Sequence, residues 1–149
     1  MASTEPPWHA NYPSPRNTAA SISRQEVLQW LQAGKLPGED YILADLRRND
    51  FEGGTIRGAL NLPAQSLYPR IPTSYSLLKR AGVKHVIWYC GSCGGRGTRA
   101  AGWFVDYLKD QSDTTMKSLV LEGGIKGWAR AGPEYTGFMD EYDASAWAQ

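Results

Sequence analysis

Cys90 and Arg96 bracket the stretch Cys90-Gly91-Ser92-Cys93-Gly94-Gly95-Arg96, in which only small residues separate a thiol from a guanidinium. Glycines let successive backbone N–H groups turn inward and form a nest for an anion. Arg96 can donate two parallel N–H bonds to a tetrahedral oxyanion. A helix opening after the loop adds partial positive charge at the same place. That field favours a thiolate on Cys90, the form able to attack phosphorus, arsenic or a sulfane sulfur. Cys90 and Arg96 are therefore expected to be catalytic. Gly91, Ser92, Cys93, Gly94, Gly95 and Arg96 are expected to form the oxyanion-binding loop. The competing reading makes Cys90 a buried core residue and the glycines a plain turn.

Cys93 stands three positions after Cys90, a Cys-x-x-Cys spacing able to close a disulfide. It is a candidate resolving thiol; the alternative is a packing residue where serine would serve. Asp45, Arg47 and Arg99 are candidate supporting residues. Asp45 and Arg47 end an apolar run and are read mainly as tying neighbouring loops together. Arg99 either widens the positive field or is a solvated helix residue. Asp45, Asp50 and Glu52 are the carboxylates available as outside proton donors, although a structural role suits them better. Arg57 is read as a surface residue. Trp103 and Trp128 are read as packing residues, and Trp8 and Tyr12 as anchors of an N-terminal arm or a cover for the site. Two cysteines with only His9 and His85 elsewhere give no metal-ligand spacing, so no metal is expected.

These residues need elements to hold them. His85-Val86-Ile87-Trp88-Tyr89-Cys90 is the strongest strand pattern, and Thr98 to Asp110 reads as a helix with Ala101, Phe104, Val105 and Leu108 on one face. Tyr41 to Leu46 and Ser118 to Leu121 read as further strands, with Ala59 to Leu62 a short one. Ser23-Arg24-Gln25-Glu26 has capping-box spacing and opens a helix that Gly34 stops. Tyr75 to Gly82 reads as a helix with Leu77 and Leu78 inward, and Ile125 to Ala131 as a short one. Strands alternating with helices predict an α/β fold. The expected sheet is central and mostly parallel, of about five strands, with helices on both faces. In such a sheet ligands bind beyond the carboxyl ends of the strands, where Cys90 falls. The expected organisation is an extended proline-rich arm over 1–20, one domain over 21–132 and a tail over 133–149 packing back on it.

At 149 residues, with 42% hydrophobic and 21% charged side chains, the chain suits one domain. A net charge of +1 supplies no global field for nucleic acid or an anionic membrane, so neither is expected as a partner. No apolar run approaches the roughly 18–20 residues that span a bilayer. The N-terminus lacks the basic and apolar regions of a secretory signal. Few cysteines point to a reducing compartment. A cytoplasmic location is expected, with a nuclear one left open.

Three segments resemble the rhodanese superfamily. Asp45-Leu46-Arg47 followed by Gly54-Thr55-Ile56-Arg57-Gly58-Ala59-Leu60-Asn61-Leu62-Pro63 is similar to its D-x-R…G-H-I-x-G-A-x-N-[IVL]-P segment, with Thr55 at the usual histidine. The cysteine loop is the second segment. Leu121-Glu122-Gly123-Gly124-Ile125-Lys126-Gly127-Trp128 is similar to the closing L-x-G-G-x-x-x-W motif. The seven residues from Cys90 to Arg96 resemble the Cys-x5-Arg loop of the fungal arsenate reductases and the cell-cycle dual-specificity phosphatases of this fold. Classical sulfurtransferases carry a shorter one. The resemblance implies a thiol-dependent enzyme acting on a tetrahedral oxyanion. Cys90 would attack, Arg96 and the loop would hold the anion, and Cys93 or an external thiol such as glutathione would resolve. No bound cofactor is implied. The phosphatases carry an acid in the loop and a histidine before the cysteine, whereas residues 91–95 hold no acid and Tyr89 precedes Cys90. Arsenate reduction is the less affected by that departure. Two alternatives remain: a thiosulfate or persulfide sulfurtransferase using the same Cys90, and a non-catalytic rhodanese regulatory or binding module.

Overall fold

A computed structural model describes residues 6–92 and 95–148. The expected Cys93 and Gly94 contributions to the loop lie outside the described residues.

The chain runs β1 (Ala20–Ile22), α1 (Arg24–Gln32), β2 (Tyr41–Asp45), β3 (Thr55–Ile56), β4 (Leu60–Asn61), α2 (Ala64–Leu67), α3 (Ile71–Ala81), β5 (His85–Tyr89), α4 (Gly95–Asp110), β6 (Lys117–Leu121), α5 (Gly124–Ala129), α6 (Pro133–Thr136) and β7 (Met139–Asp140). Five strands form one sheet in the order β1-β6-β5-β2-β4, with every neighbouring pair parallel. The architecture is the expected α/β one.

Strand alternation sorts the core into two layers. Ile42, Ala44, Val86 and Trp88 meet Ala64 of α2, Ile71 and Tyr75 of α3, and Ala100 and Phe104 of α4; Cys90, just past β5, belongs to this layer. Tyr41, Leu43, Ile87 and Tyr89 meet Val27 of α1, Ile125 and Trp128 of α5, and Tyr135 of α6. Burying side chains such as Phe104 or Leu43 contributes about 1.5–3 kcal/mol each. In β2, all five residues are buried, as befits a central strand covered on both faces.

Ser23 caps α1, its hydroxyl accepting from the Glu26 amide at 3.1 Å. Two helices begin earlier than their patterns suggest. The α3 helix starts at Ile71 because Pro72 fits the first turn, where no intrahelical donor is needed. With that frame Leu77 points outward and is 65% exposed, against the expectation of an inward residue. The α4 helix starts at Gly95 instead of Thr98, which places Arg96 within its first turn.

Two strand pairings had no clear pattern signal. The β1 strand pairs with β6, and the two-residue strands β3 and β7 pair antiparallel. The arm docks on α4: Trp103 Nε1 donates to the Pro13 carbonyl at 2.8 Å, while Asp106 accepts from the Arg16 amide at 2.8 Å and the Asn17 side chain at 2.6 Å. Gly102 makes this contact possible, because a Cβ there would lie 2.8 Å from both the Asn17 carbonyl and Pro15. None of the helices among the described residues is long and apolar enough to cross a membrane.

Candidate active site

Cys90 lies immediately beyond the carboxyl end of β5 and is 4% exposed. Its thiol donates to the Ser92 carbonyl at 3.2 Å. A Cβ built on Gly97 would stand 3.8 Å from the sulfur, so Sγ faces the first turn of α4.

The turn before α5 supports this loop from behind. Gly124 has φ +59°, and a Cβ on it would lie 2.6 Å from the Ser92 carbonyl oxygen and 2.7 Å from that of Cys90. Glycine is required on both counts. The Ile125 and Lys126 amides then donate to the carbonyls of Cys90 and Gly91 at 3.0 and 2.9 Å. The Gly-Gly pair is thus the seat of the cysteine loop.

Asp45 and Arg47 form a buried ion pair at 2.8 Å, with side chains 0% and 2% exposed. Arg47 also donates to the Glu52 carbonyl at 2.9 Å and the Gly54 carbonyl at 2.8 Å, fixing the backbone after β2. Asn61 reaches back to the carbonyls of Asp45 and Arg47 at 2.9 and 2.8 Å. Thr55 Oγ1 lies 2.7 Å from Asp45 Oδ2 and 2.6 Å from the Tyr89 hydroxyl. A carboxylate only accepts, so Thr55 gives its one proton to Asp45 and Tyr89 donates to Thr55. Burial, and then the charge of Asp45, push the Tyr89 hydroxyl far above its ordinary value. Thr55 and Tyr89 occupy the two positions where the motifs anticipate histidine, and here they bond to each other.

Cys90, Gly91, Ser92, Gly95, Arg96, Arg99 and Arg47 all line one cavity of about 670 Å³. Asp45 does not reach it; it pairs with Arg47, which does. Residues the sequence did not single out join them. Gln65, Lys126 and Ile125 line the cavity, as does Trp147 from the C-terminal segment. Trp147 donates to the Gly53 carbonyl at 2.9 Å. Trp8 and His9 bring the arm to the same wall, while Tyr12 packs instead on Tyr68 and Trp103. Trp147 carried no usable signal, because nothing local ties a distant tryptophan to the loop at Gly53. Arg57 bonds the Gly137 carbonyl at 2.8 Å and is not part of the wall.

Arg96 is engaged by Asp50, with Nη1 to Oδ1 at 2.8 Å and Nη2 to Oδ2 at 2.6 Å. The Arg96 hydrogen bonds hold the Asp50 carboxyl well below the usual carboxylate range. Asp50 in turn raises the Arg96 guanidinium above its ordinary value, with a smaller contribution from the Cys90 sulfur. A thiol and a forked cation thus face one cavity, backed by a buried polar frame. Among the described residues, no three or more metal-ligating side chains come together.

The family model for the rhodanese-like domain matches residues 23–131. Among curated proteins none matches the sequence. Among solved structures the chain is similar to Saccharomyces cerevisiae Ygr203w, described as a homolog of single-domain rhodanese and the Cdc25 phosphatase catalytic domain. That match has a TM-score of 0.65 and 20% identity over 87% of this chain and 91% of the other. A second structure of Ygr203w, described as a yeast protein tyrosine phosphatase of the rhodanese family, matches with a TM-score of 0.64 and 20% identity over 88% and 98%. The As-Sb reductase from Leishmania major matches with a TM-score of 0.64 and 20% identity over 71% and 73%. At these identities the likeness is one of fold.

Proposed function

This chain belongs to the rhodanese-like domain family, and we propose that it is a cysteine-dependent enzyme acting on a tetrahedral oxyanion. The observation that carries the reading is the convergence of Cys90 and Arg96 on one cavity, with the sulfur against the first turn of α4. The similarity in fold to a described phosphatase and a described arsenic–antimony reductase supports it.

On a phosphate monoester, the Cys90 thiolate attacks phosphorus, the bond to the ester oxygen breaks and that oxygen leaves with a proton from the substrate's own phosphate or from solvent, and water then releases phosphate from the sulfur. On arsenate, the thiolate displaces one oxygen as water. A second thiol, from Cys93 or glutathione, attacks the sulfur, and the two thiols leave as a disulfide. The pair supplies two electrons, taking As(V) to As(III). Either route needs Arg96 and the loop amides to hold the charge on the anion.

The deciding experiment assays one purified sample with arsenate plus glutathione, with an aryl phosphate, and with thiosulfate plus cyanide. Turnover in either of the first two, lost in Cys90→Ser and cut at least about tenfold in Arg96→Lys, is expected, because lysine lacks the guanidinium fork. Turnover confined to thiosulfate would replace this reading with the sulfurtransferase. Silence in all three would favour the binding module.

A further inference from the structure

We propose that Asp50 is a built-in competitor for the anion seat of Arg96, and that it makes the site select doubly charged oxyanions over singly charged ones. The proposal rests on the oxyanion reading of the cavity.

The Asp50 carboxylate meets both terminal nitrogens of Arg96, at 2.8 and 2.6 Å. A carboxylate presents two oxygens in the plane of the guanidinium, as one edge of a phosphate or arsenate does. The donor pair best suited to a substrate is therefore already filled from within the chain. The contact also covers the loop: a Cβ on Gly91 would stand 3.8 Å from Arg96 Nη2 and 3.9 Å from Asp50 Oδ2.

The contact is built for exchange. The Asp50 side chain is 51% exposed, while that of Arg96 is 22% exposed. A pair with one partner so open to water is modest in strength, and its carboxylate can turn into solvent by giving up the fork and the 3.2 Å bond that Oδ1 accepts from the Arg48 amide. The backbone beneath it is rigid, because Arg47 ties the neighbouring carbonyls of Glu52 and Gly54. Asp50 thus swings on a fixed base and returns to the same place. An incoming dianion brings more charge to the guanidinium than the carboxylate it displaces. A monoanion brings no more than Asp50 and gains nothing by the exchange. The resident carboxylate also keeps Arg96 neutralised and aligned when the cavity holds no substrate.

The test uses two alkylating agents of nearly equal size, iodoacetate and iodoacetamide, with modification at Cys90 read by mass spectrometry of its peptide. Iodoacetate must bring an anion past Arg96, and iodoacetamide does not. In Asp50→Asn the rate ratio of iodoacetate to iodoacetamide is expected to rise about two- to fivefold. Glu52→Gln removes another carboxylate from the wall of the same cavity, outside the Arg96 fork, and is expected to change the ratio less than about twofold. Equal rises in the two variants would reduce the effect to net charge and overturn the proposal. An unchanged or lower ratio in Asp50→Asn would also overturn it, making Asp50 a residue that holds Arg96 in place for the anion. In parallel, protection of Cys90 from iodoacetamide by inorganic phosphate gives a Kd for each protein, expected to tighten in Asp50→Asn. Phosphate that protects neither protein, with the iodoacetate ratio still raised, would sink the oxyanion reading and leave the Asp50 gate standing. Phosphate protection without a raised ratio would do the reverse.

Discussion

Replacing Thr55 by valine removes one hydroxyl and keeps the shape, yet it breaks a chain of buried hydrogen bonds in the middle. Tyr89 is 1% exposed and Asp45 is 0% exposed, so neither gains water when Thr55 is lost. Because Tyr89 donates to Thr55, Thr55→Val strands a buried donor, at a cost of about 1–3 kcal/mol. Asp45 loses one of its donors but keeps Arg47, which contacts it through Nε at 3.0 Å and Nη2 at 2.8 Å. That second loss belongs at the low end of the same range, about 1 kcal/mol. The expected total is about 2–4 kcal/mol. Tyr89→Phe deletes the outer member instead and leaves the Thr55–Asp45 bond intact, so about 0.5–1.5 kcal/mol is expected. Urea unfolding followed by circular dichroism measures both, as midpoint shifts at constant slope. The double variant should cost clearly less than the sum, because the two residues share one bond. If Tyr89→Phe cost as much as Thr55→Val, the donor direction deduced from the carboxylate would be wrong.

Gly124→Ala is expected to destabilise the fold by at least about 2 kcal/mol and to cut Cys90 reactivity, since a left-handed backbone and two carbonyls at 2.6 and 2.7 Å both oppose a methyl group. Gly82→Ala, left-handed as well but with nothing within 4 Å, should cost only about 1 kcal/mol and leave the alkylation rate of Cys90 unchanged. Burial pushes the Asp113 carboxyl up, but donors from Tyr75, the Met116 and Thr115 amides and Lys79 outweigh it and hold the group below its ordinary value. A lowered folded value means stability that is present above about pH 4 and fades as pH falls further. Asp113→Asn should therefore flatten the urea midpoint against pH below about pH 4, and an unchanged slope would refute the assignment. Burial pushes the Tyr41 hydroxyl up to about 12, and the oxygen has no hydrogen-bond partner among the described residues. Tyr41→Phe is thus expected to be neutral or to stabilise by up to about 1 kcal/mol, checked by thermal unfolding; a loss would reveal a partner for the hydroxyl.

The sheet was legible because its central strands are continuous apolar runs, and β2 and β5 appear within a residue of their patterns. Cys90 stood out for the same reason: a residue type able to do chemistry follows the end of an apolar strand. The β1, β3 and β7 strands, two or three residues long, have too little periodicity to show and exist through pairing with distant partners. The early start of α4 is hidden in the sequence because Gly95 and Gly97 read as loop, although Gly97 is buried against the strand end. Asp50 was legible as a carboxylate near the site, but its fork onto Arg96 depends on Arg47 holding the intervening backbone. No local pattern encodes such a contact, nor the return of Trp147 to Gly53.

The docking of the arm on α4 also bears on how the molecule opens. Its neighbour β1 pairs with β6, Ala20 beside Leu119, so this edge is held by a pairing between residues far apart in the sequence. An edge of three residues costs little to release from such a sheet. Detaching it takes the arm along, including the Pro13 carbonyl that receives Trp103 and the Trp8 ring that lies edge-on to Trp103. One partial unfolding event would thus strip a wall from the cavity while the central strands stay protected. Native-state hydrogen exchange should find the amides of β1 and the arm exchanging as a single unit, well ahead of β5. Substrate or anion bound against Trp8 would slow that unit alone.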